Sequence, residues 1–275
     1  MNEVDLEKIE VALFLQALYQ RHGYDFRHYA QASVRRRVRR LVMKKGFTHI
    51  SQLIPHLLHD EQFAREIVHE FSITATEMFR DPPFYQTIRE RIISYLQTFP
   101  FIKVWHAGCA TGEEAYSLAI LLQEEGLYDR ATIFATDFND EALQKAQEGI
   151  YPLKEMRQHT TNYQRAGGRK SFADYYHAQY DLARLDQNLK RNITFANHNL
   201  VTDGVFSEVH LVLCRNVLIY FDRTLQNQVL QLLTNSLPLG GFLCLGLKES
   251  LHFSTVHEHF RVVDEKTRIY QKQTV

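Results

Sequence analysis

Val104-Trp105-His106-Ala107-Gly108-Cys109-Ala110-Thr111-Gly112-Glu113-Glu114 is the stretch that decides the fold class of this chain. An apolar run enters a glycine loop, and two acids open the helix that follows. Further on, Ala131-Thr132-Ile133-Phe134-Ala135-Thr136-Asp137 reads as a second buried strand that ends in a carboxylate. A glycine loop after one strand and an acid after the next make a nucleoside site in an open α/β sheet. The bare loop lets backbone approach the ligand, and the acid accepts hydrogen bonds from ribose hydroxyls.

The details argue against a dinucleotide. The loop lacks the G-x-G-x-x-G spacing, and Glu113 and Glu114 stand where a pyrophosphate needs bare helix N–H groups. Acids at that point suit a ligand that joins a sugar to a positive charge. S-adenosylmethionine is the common one.

Outward from this core, strands and helices alternate, which points to βαβ units and a mostly parallel sheet. Strands are expected near 102–107, 131–136, 193–197, 209–214 and 241–246. Helices are expected near 113–125, 139–148 with Asn139 as cap, and 222–237 with Asp222 as cap. Asp81-Pro82-Pro83 opens a further helix running to about Gln97, with the aspartate as cap and proline in its first turn. Phe260-Arg261-Val262-Val263 and Thr267-Arg268-Ile269-Tyr270-Gln271 alternate as an antiparallel pair closing the sheet. Between Gly149 and Asn192 the alternation breaks. This reads as an insertion, with a helix over 152–163 and short strands from Ser171 to Ala183 about the Gly167-Gly168 turn.

Before the sheet region no strand is visible. Apolar residues recur at helical spacing in Val11, Leu13, Phe14, Leu15, Leu18 and Tyr19, then in Tyr29, Val34, Val38, Leu41 and Val42, and short helices should follow Gly46-Phe47-Thr48 and Asp60-Glu61-Gln62. The division is therefore a helical domain over 1–75 and an α/β domain over 76–275, with 151–192 inserted.

At 275 residues with 45% hydrophobic and 23% charged, the chain can bury a substantial core. Lys plus Arg (32) equals Asp plus Glu (32), so no net field selects nucleic acid or anionic membrane. The acidic start Met1-Asn2-Glu3-Val4-Asp5 lacks the basic, apolar pattern of a signal peptide, and the cytoplasm is expected. Cys109, Cys214 and Cys244 have no CxxC spacing and read as reduced, buried thiols. His252, His257 and His259 fit no tight metal motif, and no metal is expected. Gly168-Arg169-Lys170-Ser171 lacks the upstream glycine of a phosphate loop, and no G-x-S-x-G elbow is present.

Several polar residues gather at the carboxyl ends of strands, where open parallel sheets bind ligands: Asn199, Arg215 and Asn216, beside Gly108 and Asp137. Taken singly, the asparagines are ordinary turn formers and Arg215 a surface charge. Thr74 to Asp81 lies at the junction of the two domains; the plain alternative is a linker with Phe79 packed and Arg80 paired to Asp81 or Glu77. The run Arg35-Arg36-Arg37-Val38-Arg39-Arg40, continued by Lys44-Lys45, contains no acid. It makes one strongly positive helix face, either merely solvated or suited to docking phosphate or an acidic protein surface.

Together these motifs resemble the CheR family of chemotaxis receptor methyltransferases over almost the whole chain. The resemblance rests on Thr76 to Asp81, Gly108 to Glu114, Ala135 to Asp137, Asn199-Leu200, and Cys214 to Phe221. It implies a Rossmann-like class I methyltransferase sheet with an N-terminal all-α domain and a small β-subdomain insertion. It implies S-adenosylmethionine as cofactor, S-adenosylhomocysteine as product, and glutamate side chains of methyl-accepting chemotaxis receptors as substrate. By resemblance Thr74, Thr76 and Arg80 would touch the cofactor from the junction, one of Glu113 and Glu114 its charged amino-acid portion, and Asp137 the ribose. Asn199, Leu200, Arg215 and Asn216 would surround the adenosine and the approach of the methyl donor. Arg80 and Tyr220 would lie near the reacting carboxylate. Arg35, Arg36, Arg39 and Arg40 would meet the receptor's cytoplasmic helices, the enzyme acting as a monomer without nucleic acid or membrane insertion. The chain departs from the family pattern at Met78, at Thr74 and at Lys248-Glu249-Ser250-Leu251. Rival readings are a methyltransferase of small molecules or nucleic acid, and a cofactor-sensing module without turnover.

Overall fold

The computed structural model describes residues 3–72 and 74–273. Contacts divide the chain into two compact units, Met1–Ile73 with Ile219–Gln228, and Thr74–Leu218 with Val229–Val275.

The first unit is helical, with α1 (Glu3–His22), α2 (Gln31–Lys45), α3 (Leu53–His59) and α4 (Glu61–Phe71). Helix α2 stops at Gly46, whose left-handed φ of 74° returns its N–H to the Met43 carbonyl. Helix α4 starts on Asp60, whose carboxylate accepts the N–H groups of Gln62 and Phe63. Phe14, Leu18, Val38, Leu41, Leu53 and Ile67 are buried at its centre. The segment Ile219–Gln228 joins this unit although it lies far along the chain. Ala30 N–H donates to the Tyr220 carbonyl at 2.8 Å, and the Tyr29 and Phe221 rings meet edge-on at 5.0 Å. A cut of the sequence at one point could not anticipate such a return.

The second unit holds a seven-stranded sheet in the order β6-β2-β1-β7-β8-β10-β9. The strands are β1 (Ile102–Ala107), β2 (Ala131–Asp137), β6 (Ile193–Asn197), β7 (Leu211–Cys214), β8 (Phe242–Leu245), β9 (Phe260–Asp264) and β10 (Ile269–Lys272). The first five run parallel, and β10 pairs antiparallel with β8 and with β9. Strand β1 has β2 on one side and β7 on the other, so the order reverses between β1 and β7, where open α/β sheets bind ligands. Helix α7 (Glu113–Glu124) is buried on every side from Glu113 to Leu122, which is why its sequence is apolar around the whole circumference. Helix α8 (Asp140–Glu148) is capped by Asn139, which accepts from Glu141 and Ala142, as its sequence position predicts. Helix α10 (Arg223–Asn235) begins on Asp222, whose Oδ1 accepts the Leu225 N–H at 2.9 Å.

Two expectations are corrected. The helix after Asp81 runs to Leu96 as expected, through α5 (Pro82–Thr87), a π turn over Ile88–Ile92, and α6 (Ile93–Leu96), but its expected cap fails. Asp81 stands at its N-terminus with φ 56°, yet its side chain caps nothing; an arginine takes the carboxylate instead. In the insertion, β3 (Ile150–Pro152), β4 (Tyr176–Gln179) and β5 (Leu182–Leu185) form a three-stranded sheet in the order β3-β5-β4. Its hairpin turns at Tyr180-Asp181, with Tyr180 at φ 54°, and not at the glycine pair. Gly167 and Gly168 follow α9 (Met156–Arg165), and a Cβ on Gly168 would lie 2.2 Å from the Tyr163 ring. The second glycine is there for close packing. The insertion is tied to α7 through Glu124, which accepts from the Tyr163 and Tyr175 hydroxyls and from Arg89.

Candidate cofactor site at the sheet switch point

Backbone bonds fix the glycine loop before any side chain acts. The N–H groups of Gly108 and Cys109 both donate to the Thr136 carbonyl, at 2.8 and 2.9 Å, which hangs the loop from the end of β2. Gly108 has φ 78°, and a Cβ there would come within 2.6 Å of Val217 Cγ2. Both facts require glycine. Gly112, at φ 92°, starts α7, so the loop hands its last N–H groups directly to a helix N-terminus.

Asp137 closes the same ring from β2. Its Oδ2 accepts the Ala110 N–H at 2.9 Å and its Oδ1 the Asn139 N–H at 3.0 Å. Burial nevertheless raises its pKa above the ordinary 3.8. The Phe138 N–H also acts on this carboxylate, but with about four lone-pair sites it keeps room for a further donor such as a ribose hydroxyl.

The two acids after the loop differ sharply. Glu114 lies between β1 and β7, its Oε1 accepting from Arg215 Nη1 and its Oε2 meeting His106 Nε2 at 2.7 Å. Burial alone would raise its pKa, but the charge of Arg215 and the bond to His106 outweigh that and hold it at about 2. Arg215 reaches Asp81 Oδ2 with Nη2 at 2.7 Å and lies over the Phe84 ring, 3.9 Å from its centroid. Glu113 pairs with no cation among the described residues; burial pushes its pKa up to about 7, opposed in part by hydrogen bonds from the Thr111 hydroxyl, at 2.7 Å, and from its own backbone N–H. It sits beside Tyr151 of the inserted sheet, whose hydroxyl donates to the Thr111 carbonyl at 2.7 Å.

The junction segment is strained where it approaches this cluster. Phe79 and Asp81 have φ of 53° and 56°, rare for side chains of these kinds. They are held by Phe79 N–H on Ser117 Oγ at 2.9 Å and by Asn162 Nδ2 on the Met78 carbonyl at 3.1 Å. Phe79 is packed, as the linker reading expects, but Arg80 pairs with neither Asp81 nor Glu77: Asp81 belongs to Arg215. Thr74, Thr76 and Arg80 are all half-buried on this segment.

Asn199 behaves as a turn former. Its Oδ1 accepts the Val201 N–H at 3.0 Å, and Leu200 lies half-buried in the same turn. Asn216 has φ 61° directly after the buried Arg215. Tyr220 falls in the other unit, where the Arg37 guanidinium lies 5.6 Å from its ring centroid. The three cysteines are buried free thiols, and burial raises the pKa of Cys109. His106, Asp81 and Ala110 went unremarked in the sequence as site residues. Only the place of His106 next to the end of a buried strand could have singled it out.

The donor set fits S-adenosylmethionine. Two carboxylates, Glu114 and Asp81, share one guanidinium at the switch point, leaving an excess of negative charge for an ammonium or a sulfonium. Arg215 Nε is buried without a hydrogen-bond partner among the described residues and can still donate. Asp137 offers a buried carboxylate, an acceptor of the kind a ribose hydroxyl needs.

A switch point of this kind on this sheet defines an S-adenosylmethionine-dependent methyltransferase. Residues 74–269 match the model of the CheR methyltransferase, SAM binding domain, and residues 9–72 that of the CheR methyltransferase, all-alpha domain. The chain belongs to the CheR methyltransferase family. It is 46% identical over 264 residues to Cher3 of Pseudomonas putida, a protein named as a methyltransferase, covering 96% of this chain and 97% of that one. It is 28% identical to the chemotaxis protein methyltransferase of Listeria innocua, covering 90% and 92% of the two chains. To the chemotaxis protein methyltransferase of Escherichia coli it is 28% identical, covering 89% and 85%. No helix among the described residues is long and apolar enough to cross a membrane.

Proposed function

We propose that this enzyme converts glutamate side chains of methyl-accepting chemotaxis receptors into methyl esters, in the cytoplasm, as part of adaptation. The observation that carries the cofactor site is the sharing of Arg215 by Glu114 and Asp81 at the switch point. The receptor substrate rests on the family, whose Listeria and Escherichia members are named for chemotaxis.

Of the two acids, Glu114 is the one assigned to the cofactor's ammonium group. It lies between β1 and β7 and is ionised at any physiological pH, whereas Glu113 faces the inserted sheet and is half protonated near pH 7. Asp137 takes the ribose. Thr74, Thr76, Arg80, Gly108, Asn199, Leu200, Arg215 and Asn216 complete the pocket in this reading. When bound, the cofactor supplies an electrophilic methyl group on a positively charged sulfur. A glutamate carboxylate has a reference pKa of about 4.3, so the nucleophile needs no general base. What remains for the protein is alignment and removal of the water that stabilises both charges. Arg80 and Tyr220 orient the substrate carboxylate by hydrogen bonds and move no proton.

The basic helix is the assigned docking element, with a refinement. Arg39 is engaged by Glu7, Lys44 by Glu70 and Lys45 by Glu66, and the buried Arg37 donates to the Phe71 carbonyl. The uniformly positive face expected from the sequence is thinned to Arg35, Arg36 and Arg40. Residues 151–192 are assigned as a β-subdomain, and the division near residue 75 is supported by the grouping of contacts on either side of it.

The test is to incubate the protein with methyl-labelled cofactor and receptor cytoplasmic fragments, then raise the pH. Label released as methanol identifies a carboxyl ester. Base-stable label, or cofactor binding without transfer, refutes the assignment.

A further inference from the structure

We propose that Glu249 is a positioning residue for the cofactor site, holding Asn216 in its functional conformation from across the ends of β7 and β8. This rests on the reading that Asn216 contacts the cofactor. Asn216 sits two residues beyond β7 with φ 61°, a left-handed conformation that a non-glycine residue keeps only where its surroundings hold it. The hold comes from one carboxylate oxygen. Glu249 Oε2 accepts the backbone N–H of Asn216 at 2.9 Å and that of Gly246 at 2.6 Å. Gly246 is the residue after β8, so a single atom ties together the carboxyl ends of two adjacent parallel strands on the rim that binds ligand.

Three further features make this a built device. Glu249 is 5% exposed, so its bonds are little weakened by competing water. Its own N–H donates to the Gly246 carbonyl at 2.9 Å, closing the turn that brings the side chain back over the strand end. And Gly246 has no room for a side chain: a Cβ would stand 2.7 Å from Asn216 N, 2.8 Å from Glu249 Oε2 and 3.0 Å from Asn216 Nδ2. Glycine is needed there because Asn216 and Glu249 close over it. Arg215, one residue before Asn216, carries the ion cluster with Glu114 and Asp81, so displacement of Asn216 moves the backbone that aims Arg215 as well.

The experiment compares Glu249→Ala, Glu249→Gln and Gly246→Ala with wild type, measuring S-adenosylhomocysteine affinity by calorimetry, initial rates on receptor fragments, and Tm. Glu249→Gln keeps an oxygen that can accept both N–H groups and is expected within about threefold of wild type in affinity and kcat. Glu249→Ala and Gly246→Ala, assayed below their own Tm, are expected to lose about 10- to 100-fold in affinity and in kcat/KM, the scale of a small misplacement in a site. Wild-type affinity and rate in both Glu249→Ala and Gly246→Ala overturn the proposal. So does a Gln variant as impaired as the Ala variant, since hydrogen-bond acceptance would then not be the role. Should Glu249→Ala fail to fold, Gly246→Ala and the Gln variant decide by the same criteria. If wild type itself binds no cofactor, the functional reading fails independently of the positioning role.

Discussion

Oδ2 of Asp137 accepts the backbone N–H of Ala110 at 2.9 Å, so the acid that ends β2 and the loop that follows β1 form one rigid piece. The residue that would bind the ribose also shapes the loop beneath it. Asp137→Asn separates the two roles imperfectly, because one carboxamide atom becomes a donor and must face either Ala110 or Asn139 N–H. Losing a hydrogen bond to a charged group is worth about 1.5–3 kcal/mol. Affinity for S-adenosylhomocysteine should fall roughly 10- to 100-fold by calorimetry, with a lowered Tm. Unchanged affinity would exclude Asp137 from the site.

Glu114→Gln removes a buried charge and leaves Arg215 with Asp81 alone. Breaking a buried pair costs about 3–5 kcal/mol, to be read from urea unfolding at pH 7. The pH dependence follows from sign. The folded pKa of about 2 lies below the ordinary 4.5, so the contribution is fully present above about pH 4.5 and is lost as pH falls toward 2. Wild type and the variant should therefore converge in stability on acidification.

Glu113 behaves oppositely. Its folded pKa of about 7 lies above the ordinary 4.5, so between these values the folded state binds the extra proton and stability falls as pH rises. Glu113→Gln should abolish that decline and stabilise the ligand-free protein at pH 8 by on the order of 2–3 kcal/mol. Affinity for the cofactor should be largely kept, in contrast to Glu114→Gln. Equal loss of affinity in the two variants would contradict the assignment of the ammonium group to Glu114.

Receptor docking through the basic helix predicts unequal arginines. Arg36→Ala with Arg40→Ala should lower kcat/KM on receptor fragments about 10-fold at low salt, with kcat at saturation preserved and the salt dependence weakened. Arg39→Ala should do less, because Glu7 already neutralises that charge. Rates insensitive to all three would leave the helix a solvated face.

Tyr220→Phe tests orientation against proton transfer. An orienting hydroxyl accounts for one hydrogen bond to a charged group, so kcat/KM on receptor should fall about 10-fold while the pH–rate profile keeps its shape. Complete loss of turnover with receptor binding intact would show that the hydroxyl does more than orient.

The sequence by itself determined the α/β sheet, the glycine loop, the capped helices at Asn139 and Asp222, and the helical N-terminal region. These are written in neighbouring residues: strand and helix periodicities, a glycine where φ must be positive, an oxygen two or three residues before the N–H groups it caps. What tertiary structure alone decided is which charges meet. Asp81 reads as a helix cap and becomes the partner of Arg215, 134 positions away. The run from Arg35 to Lys45 reads as uniformly basic until Glu7, Glu66 and Glu70 are folded against it. Glu113 and Glu114 are identical in sequence and adjacent, yet burial without a base raises one while Arg215 and His106 lower the other. Ion pairing depends on distance in space, and spacing along the chain encodes that only within a turn or two of helix.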